Sequence, residues 1–257
     1  MKEIENLWKR ALNESWNPMD INFEEDYKDW EKLNNIQRKY LADLFYHQLF
    51  GEYEVLIGVS RLARLIKDNN ARFFLLTHAR DNTVHVNIFE RFLSTMGESP
   101  EIKRERISDQ YFELIYVMPR KLIDELEKTW DENKLASFMT LYYFAADGIL
   151  YNVSYIALEQ ILFSKNLFKN LYEAYKRINV DEKRQTMFAA YYIKKISEKN
   201  KEIVETVKNT LNEVTPLILS VIGYFAPLAE SFGRQIDEFA SLTQGVIDEE
   251  LRIIGLR

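Results

Sequence analysis

Cysteine is absent from the 257 residues, which excludes disulfides, thiolate metal sites and cysteine nucleophiles but leaves the compartment open. Glycine and proline are scarce, at 8 and 5 residues, too little turn material for a β-rich fold. Basic blocks are missing as well. The 34 Lys and Arg are interleaved with 40 Asp and Glu for a net charge of −6, so the electrostatic footprint of a nucleic-acid partner is not there. Residues Met1 to Ala11 are charged and have no apolar stretch of signal-peptide length, so the expected location is cytoplasmic. The longest apolar run, Pro216 to Ala229, is interrupted by Ser220, Gly223 and Pro227 and falls short of the roughly 20 residues that cross a bilayer. It reads as a core helix with a proline bend, and no membrane span is expected. No glycine elbow surrounds a serine and no phosphate-binding glycine loop is present, so Ser/His/Asp catalysis has no support.

What the chain does have is core material, 47% hydrophobic and 14% aromatic, ample for one large interior. Apolar residues recur at helical intervals over long stretches. A short helix at about 2–13, a connector at Trp16-Asn17-Pro18 and a second short helix carrying Tyr27 and Trp30 read as a strap over 1–35. Long helices follow from about Ile36 to Lys67, closed by Asp68-Asn69-Asn70, and from about Ala71 to Met96, stopped by Gly97 and Pro100. A further helix spans Ser108 to Lys128, bent at Pro119. The third and fourth long helices cover Glu132 to Phe163 and Leu167 to Lys199, the latter irregular at Ile178-Asn179-Val180. Two more, Glu202 to Leu228 and Ser231 to Ala240, pack outside. No repeat of solenoid length and no flexible linker divides the chain, so 1–257 is read as a single all-α domain, with a four-helix bundle over 36–199 and flanking C-terminal helices over 200–257.

Polar residues sit on these long helices at a telling spacing. His85 follows Asn82 by three and Gln185 follows Glu182 by three, a step that puts both members of each pair on one helix face. Glu52 and Asp147 stand on the other two long helices. Four-helix di-iron carboxylate proteins carry one Glu on each of two helices and a Glu-x-x-His on each of the other two. Here the six positions read Glu52, Asn82, His85, Asp147, Glu182 and Gln185.

With those positions stand Asn17-Pro18-Met19-Asp20-Ile21-Asn22-Phe23, Asp26, Asp29-Trp30, Gly51-Glu52 with Val55, Asp147-Gly148-Ile149-Leu150 and Asp181-Glu182-Lys183-Arg184-Gln185. From Asn17 onward the chain resembles the ligand-binding oxidases related to the ribonucleotide reductase small subunit, which have a ferritin-like fold. The resemblance implies two metal ions, iron or manganese, one held by Glu52 and His85 and the other by Asp147 and Glu182. It further implies an ether bond between Val55 and Tyr142, a hydrophobic pocket for a long-chain fatty-acid-like ligand, and a homodimer. Departures are plain: Asn82 stands where the family bridges with Glu, Gln185 where it has His, and Tyr53 where it tends to have a second acid.

An amide supplies neither charge nor strong bridging between two ions, so the donor set favours a single metal on Glu52, His85 and Glu182, with Asn82 or water completing it. The open alternatives are a two-metal oxidase site and a metal-free polar core that keeps only ligand binding or a scaffold role. Buried acids without a cation are costly, and no Lys or Arg occupies a ligand position. His78, seven residues before His85, is expected to be a core or gate histidine, and Glu54 to be solvated or at an interface. A radical-generating reductase subunit is disfavoured, because the last tyrosine is Tyr224 and the sequence given ends Ile254-Gly255-Leu256-Arg257.

Overall fold

The first long helix begins at a capping box. Asn34 Oδ1 accepts from the Gln37 N–H and Gln37 Oε1 accepts from the Asn34 N–H, both at 3.0 Å, which settles two otherwise orphaned groups. In the computed structural model, which describes residues 2–253, the elements are α1 (Lys2–Asn13), α2 (Tyr27–Lys32), α3 (Asn35–Leu65), α4 (Asn69–Thr95), α5 (Asp109–Phe112), α6 (Met118–Lys128), α7 (Glu132–Met139), α8 (Asn152–Ile161), α9 (Lys169–Ser197), α10 (Glu202–Tyr224), α11 (Ala226–Ser231) and α12 (Ile236–Ile253). No strand occurs among the described residues. The bundle is α3, α4, α9 and the composite helix that runs from α7 through a π-helical stretch, Thr140–Tyr151, into α8. This is the all-α arrangement expected, with α1, α2, α5, α6 and α10 to α12 around it.

Several boundaries differ from the sequence reading for local reasons. Asp68 does not close α3 but opens α4, its Oδ1 accepting from the Ala71 N–H at 3.0 Å, while Ile66 is already extended. The helix α9 runs unbroken through 178–180: Ile178 is buried and Asn179 and Val180 face outward, so burial overrides their low propensity. Pro119 lies in the first turn of α6, just after a π turn at Glu113–Val117, which accommodates its missing N–H. Beyond Gly233, at φ +76°, the last helix is α12, later and longer than expected. Residues 254–257, part of the C-terminal reading, lie outside the described residues.

By length and composition alone the segment Glu202–Ser231 is long and apolar enough to cross a membrane, as the core helix of a soluble protein also can be. It contains Pro216 yet stays helical, and Ile203, Val207, Leu211, Val214, Ile218 and Val221 bury one stripe of it against the bundle.

The strap is pinned at the start of α9. Asp26 Oδ2 accepts from the Leu171 N–H at 2.8 Å, its Oδ1 accepts from the Asn170 N–H at 3.2 Å, and Asp29 Oδ2 accepts from the Phe168 N–H at 2.8 Å. Two carboxylates thus meet the positive end of a helix whose first residues have no side-chain cap of their own. Burial still raises the Asp26 pKa above the ordinary carboxylate range, so the hydrogen bonds only partly offset desolvation. Asp26→Ala is expected to lower unfolding free energy by about 2 kcal/mol, since buried donors are left unmatched. Urea denaturation checks this, and an unchanged midpoint would mean the strap docks without the cap.

Candidate metal centre

Four helices bring the polar residues to one interior point. Glu52 comes from the middle of α3, Asn82 and His85 from one face of α4, Asp147 from the π-helical stretch, and Glu182 and Gln185 from α9. The π geometry matters for Asp147. An α-helix places residues five apart about 140° around its axis, whereas i→i+5 bonding stacks them. Tyr142 and Asp147 can therefore both face inward.

His85 is completely buried. Its Nδ1 lies 3.2 Å from Glu52 Oε2 and 3.4 Å from Glu182 Oε1, and its Nε2 is 3.2 Å from Asp181 Oδ2. Asn82 Nδ2 donates to Glu52 Oε2 at 2.6 Å. Ligand atoms of Glu52, His85 and Glu182 all lie within 4.8 Å of one another. Asp147 and Glu182 face each other within hydrogen-bonding reach. Two carboxylates tolerate that contact only when one carries a proton or a cation lies between them.

The proton affinities follow from this crowding. Burial, then the Glu182 and Glu52 carboxylates, push Asp147 well above the carboxylate range. Burial and the Glu52 charge raise Glu182 to about 7 despite the hydrogen bond from His85. For His85, burial alone favours the neutral ring, but the charge of Glu52 and hydrogen bonds to Asp181, Glu182 and Glu52 prevail and raise its pKa well above 6.5. At His78 burial and, with it, the charges of His85 and Arg184 together outweigh the pull of Asp181. Burial lowers it to about 3, and its Nδ1 meets Tyr143 Oη at 3.0 Å, so it is a neutral core histidine.

The residues fit a metal ion. Asn82 Oδ1, Asp147 Oδ2, Glu182 Oε2 and both amide atoms of Gln185 are buried without a hydrogen-bond partner, an unusual concentration of unmatched polar atoms. Most are acceptors, and two of the residues that carry them, Asn82 and Glu182, also touch Glu52 and His85 respectively. The far side of His85 is tied to Asp181, the arrangement that fixes the tautomer of a metal-ligating histidine.

Sequence reasoning gave Asp181 no role, although it stands next to Glu182. It accepts from Trp16 Nε1 at 2.9 Å and is paired with Arg184, which also reaches Asp81 Oδ2 and Glu14 Oε2, each at 2.9 Å. Burial would raise the Asp181 pKa, but the His85 bond and charge, the Trp16 bond and Arg184 together hold it below the ordinary range. Arg184 is thus a buried cation one layer behind the acids, where only its proximity in sequence to Glu182 hinted at a part. Glu54, expected to be solvated or at an interface, is buried within the chain and forms a two-pronged pair with Arg120 at 3.0 and 3.2 Å. The partner comes from α6, and nothing local to Glu54 reveals it.

Val55 is buried at the edge of the centre. Tyr142, also buried, donates to the Glu54 carbonyl oxygen at 3.2 Å, and its ring fills the space that a side chain at Gly58 would occupy. Beside the acids a cavity of about 120 Å³ opens, room for on the order of ten waters. Glu52, Asp147 and Glu182 form its polar end, while Val55, Leu150, Ala157, Val221, Phe225 and Phe239 line the rest.

Comparison with known proteins finds the same fold. An R2-like ligand-binding oxidase with an aerobically reconstituted metal cofactor superposes with a TM-score of 0.91 at 21% identity, over 99% of this chain and 94% of that one. A variant of such an oxidase with an aerobically reconstituted Mn/Fe cofactor gives 0.89 at 22% identity, over 98% and 92%. At these identities the likeness speaks for the fold. The family model for the ribonucleotide reductase small chain matches residues 1–255, and the chain therefore belongs to the ribonucleotide reductase small chain family.

Proposed function

We propose that the protein is a metal-binding oxidoreductase homologue, similar to the R2-like ligand-binding oxidases, with a reduced site for one iron or manganese ion beside an apolar ligand pocket. The observation that carries this reading is His85, with one nitrogen turned to Glu52 and Glu182 and the other fixed by Asp181, amid unmatched acceptors. Glu52, His85 and Glu182 would hold the ion, and Asn82, Asp147 and Gln185 offer oxygens to complete its shell. A bound iron or manganese ion supplies one-electron redox chemistry at this place. The chain's own residues do the remainder: Asp181 holds the His85 proton on Nε2, Asp147 and Glu182 store a proton between them, and the apolar cavity excludes bulk water. Tyr142 is the proposed oxidisable side chain, with Val55 as its neighbour for an ether link.

A long-chain fatty-acid-like ligand, a homodimer, a cytoplasmic location and a single domain over 1–257 belong to the same proposal. A metal-free binding protein is the second reading, favoured by the Asn82 bond to Glu52 and by the burial that raises the proton affinity of Asp147 and Glu182. Elemental analysis after anaerobic iron or manganese loading decides between them. About one ion per chain, lost in His85→Ala, is expected; wild-type protein that stays metal-free would leave only the second reading. Intact mass after exposure of the loaded protein to dioxygen tests the ether link, a two-electron oxidation in which a C–H of Val55 and the O–H of Tyr142 would be lost and the two protons and two electrons would pass to dioxygen, reducing it to hydrogen peroxide.

A further inference from the structure

Among the described residues, none that lines the cavity beside the acids is exposed; each is buried or half-buried. Whatever enters must therefore displace part of the wall. Most of that wall belongs to α3, α9 and the composite helix, long elements packed through the bundle core. The C-terminal part of the chain supplies another side: Val221 and Ile222 on α10, Phe225 at its end, Leu228 and Ala229 on α11, and Phe239 on α12.

Helices α11 and α12 differ from the other wall elements in how they are held. The buried stripe of α10 runs on to Val221, but that helix ends at Tyr224, and Pro227 at the start of α11 has no N–H to carry the backbone ladder onward. Only six residues long, α11 is followed by Gly233, whose φ of +76° suits a residue without a Cβ. Burial of α12 is one-sided. Phe239, Thr243, Val246 and Ile247 recur at helical spacing as its buried stripe, while Glu238, Ser241, Gln244 and Glu249 face outward. Polar ties lie at the rim: the Gln37 side-chain amide donates to the Ser231 carbonyl oxygen at 3.0 Å, and Arg234 donates to Gln160 Oε1. Gln37 belongs to α3 and Gln160 to α8, so these bonds fasten the segment to two bundle helices.

We propose that α11 and α12 form a lid over the cavity, hinged between Tyr224 and Pro227, articulated at Gly233 and latched by Gln37 and Arg234. Its opening uncovers the flank made by Leu228, Ala229 and Phe239 and leaves the bundle and its acids in place. A six-residue helix and a helix with a single buried stripe separate from the core at lower cost than a bundle helix embedded on several sides. Each latch is one hydrogen bond between neutral and charged or neutral groups near the surface, so its loss raises the open population by roughly two- to ten-fold. The lid governs access alone, and it operates with or without a metal ion among the acids.

Because the chain has no cysteine, a single introduced thiol reports on opening without background. Val153→Cys places one on the cavity wall, Ala157→Cys is a second reporter there, and Ala63→Cys, buried in α3 away from the wall, reports global unfolding. Each full-length, metal-free variant is exposed to methyl methanethiosulfonate and followed by intact mass, with its rate taken relative to the same chain in denaturant. The wall thiols are expected to react more slowly than in denaturant but about a hundred-fold faster than Ala63→Cys, with a weaker dependence on urea. Gln37→Glu keeps the acceptor of the α3 capping box but loses the donor to Ser231. That change and Arg234→Ala should each speed wall labelling by roughly two- to ten-fold. Arg61→Ala, which removes ion pairs between α3 and α6 far from the latches, should leave the wall rate as it was. Wall thiols that react no faster than Ala63→Cys, or as fast as in denaturant, overturn the lid. So do latch variants with the unmodified wall rate.

Discussion

Metal-free protein is expected to lose thermal stability as pH rises above about 6.5, and metal-loaded protein to gain it over the same range. The sign comes from three groups whose folded pKa values lie above their ordinary ones. Glu182 stands at about 7, and Asp147 and His85 are also raised. Each holds its proton more tightly in the folded chain than in the unfolded one. Their contribution is fully present below the unfolded pKa and disappears as pH rises through the folded one. For Glu182, from 4.5 to about 7, the loss is on the order of 3 kcal/mol. Asp181 is shifted the opposite way, with its transition below the ordinary Asp range, and burial lowers His47 to about 4 and His78 to about 3, so the stability they contribute as pH rises is complete once pH passes 6.5, which sets the lower edge of the window.

Metal reverses the slope because carboxylates must be deprotonated, and histidine neutral, to bind it. Affinity therefore climbs with pH, and binding to the folded state alone adds stability by mass action. Melting curves with and without manganese at several pH values check both halves. Parallel curves would show that no ion enters among these acids. The same titration of Glu182→Gln should flatten much of the metal-free slope.

Arg184→Ala is expected to destabilise the fold by about 3–5 kcal/mol, the range for removing one partner of a buried ion pair. The guanidinium is fully buried and serves Asp81, Asp181 and Glu14 together. Without it Asp181 keeps only His85 and Trp16, and Asp81 keeps Arg80. Two interior carboxylates then lose their shared cation. Because Asp181 orients His85, metal affinity should fall as well, by about 10–100-fold, the usual effect of losing a partner behind a ligand. Chemical denaturation and metal titration measure the two effects separately. Arg184→Lys should recover part of the stability, since it restores charge but not the fork that reaches two acids. Wild-type stability in Arg184→Ala would mean the two aspartates are protonated and the charge layer is not needed.

Much of this organisation was legible in the residues. The four long helices appeared from apolar spacing, and the pairs at 82/85 and 182/185 marked faces that had to look inward. Helix periodicity is a local property, and so is the face on which a side chain three positions on must lie. The Gly97 stop, at φ +79°, was likewise visible, because only glycine adopts that conformation freely. The strap's Asp26 and Asp29 were noticed as residues, but their task of capping α9 depends on chain more than a hundred positions away.

By itself the sequence determined the all-helical fold, the registers that send Glu52, His85 and Glu182 to the inward faces of their helices, and the amides at two positions where a Glu and a His would be expected. Those facts depend on rise, turn and side-chain chemistry within one helix. Tertiary structure alone decided that Glu54 is buried against Arg120, that Arg184 turns inward to hold Asp181 and Asp81, and that Tyr111 and Tyr151 share a cavity with the acids. It also decided the π-helical stretch that turns Asp147 inward along with Tyr142. The physical reason is that the charge state and use of a buried polar group depend on what other helices set beside it, and that distance is fixed only when the bundle packs.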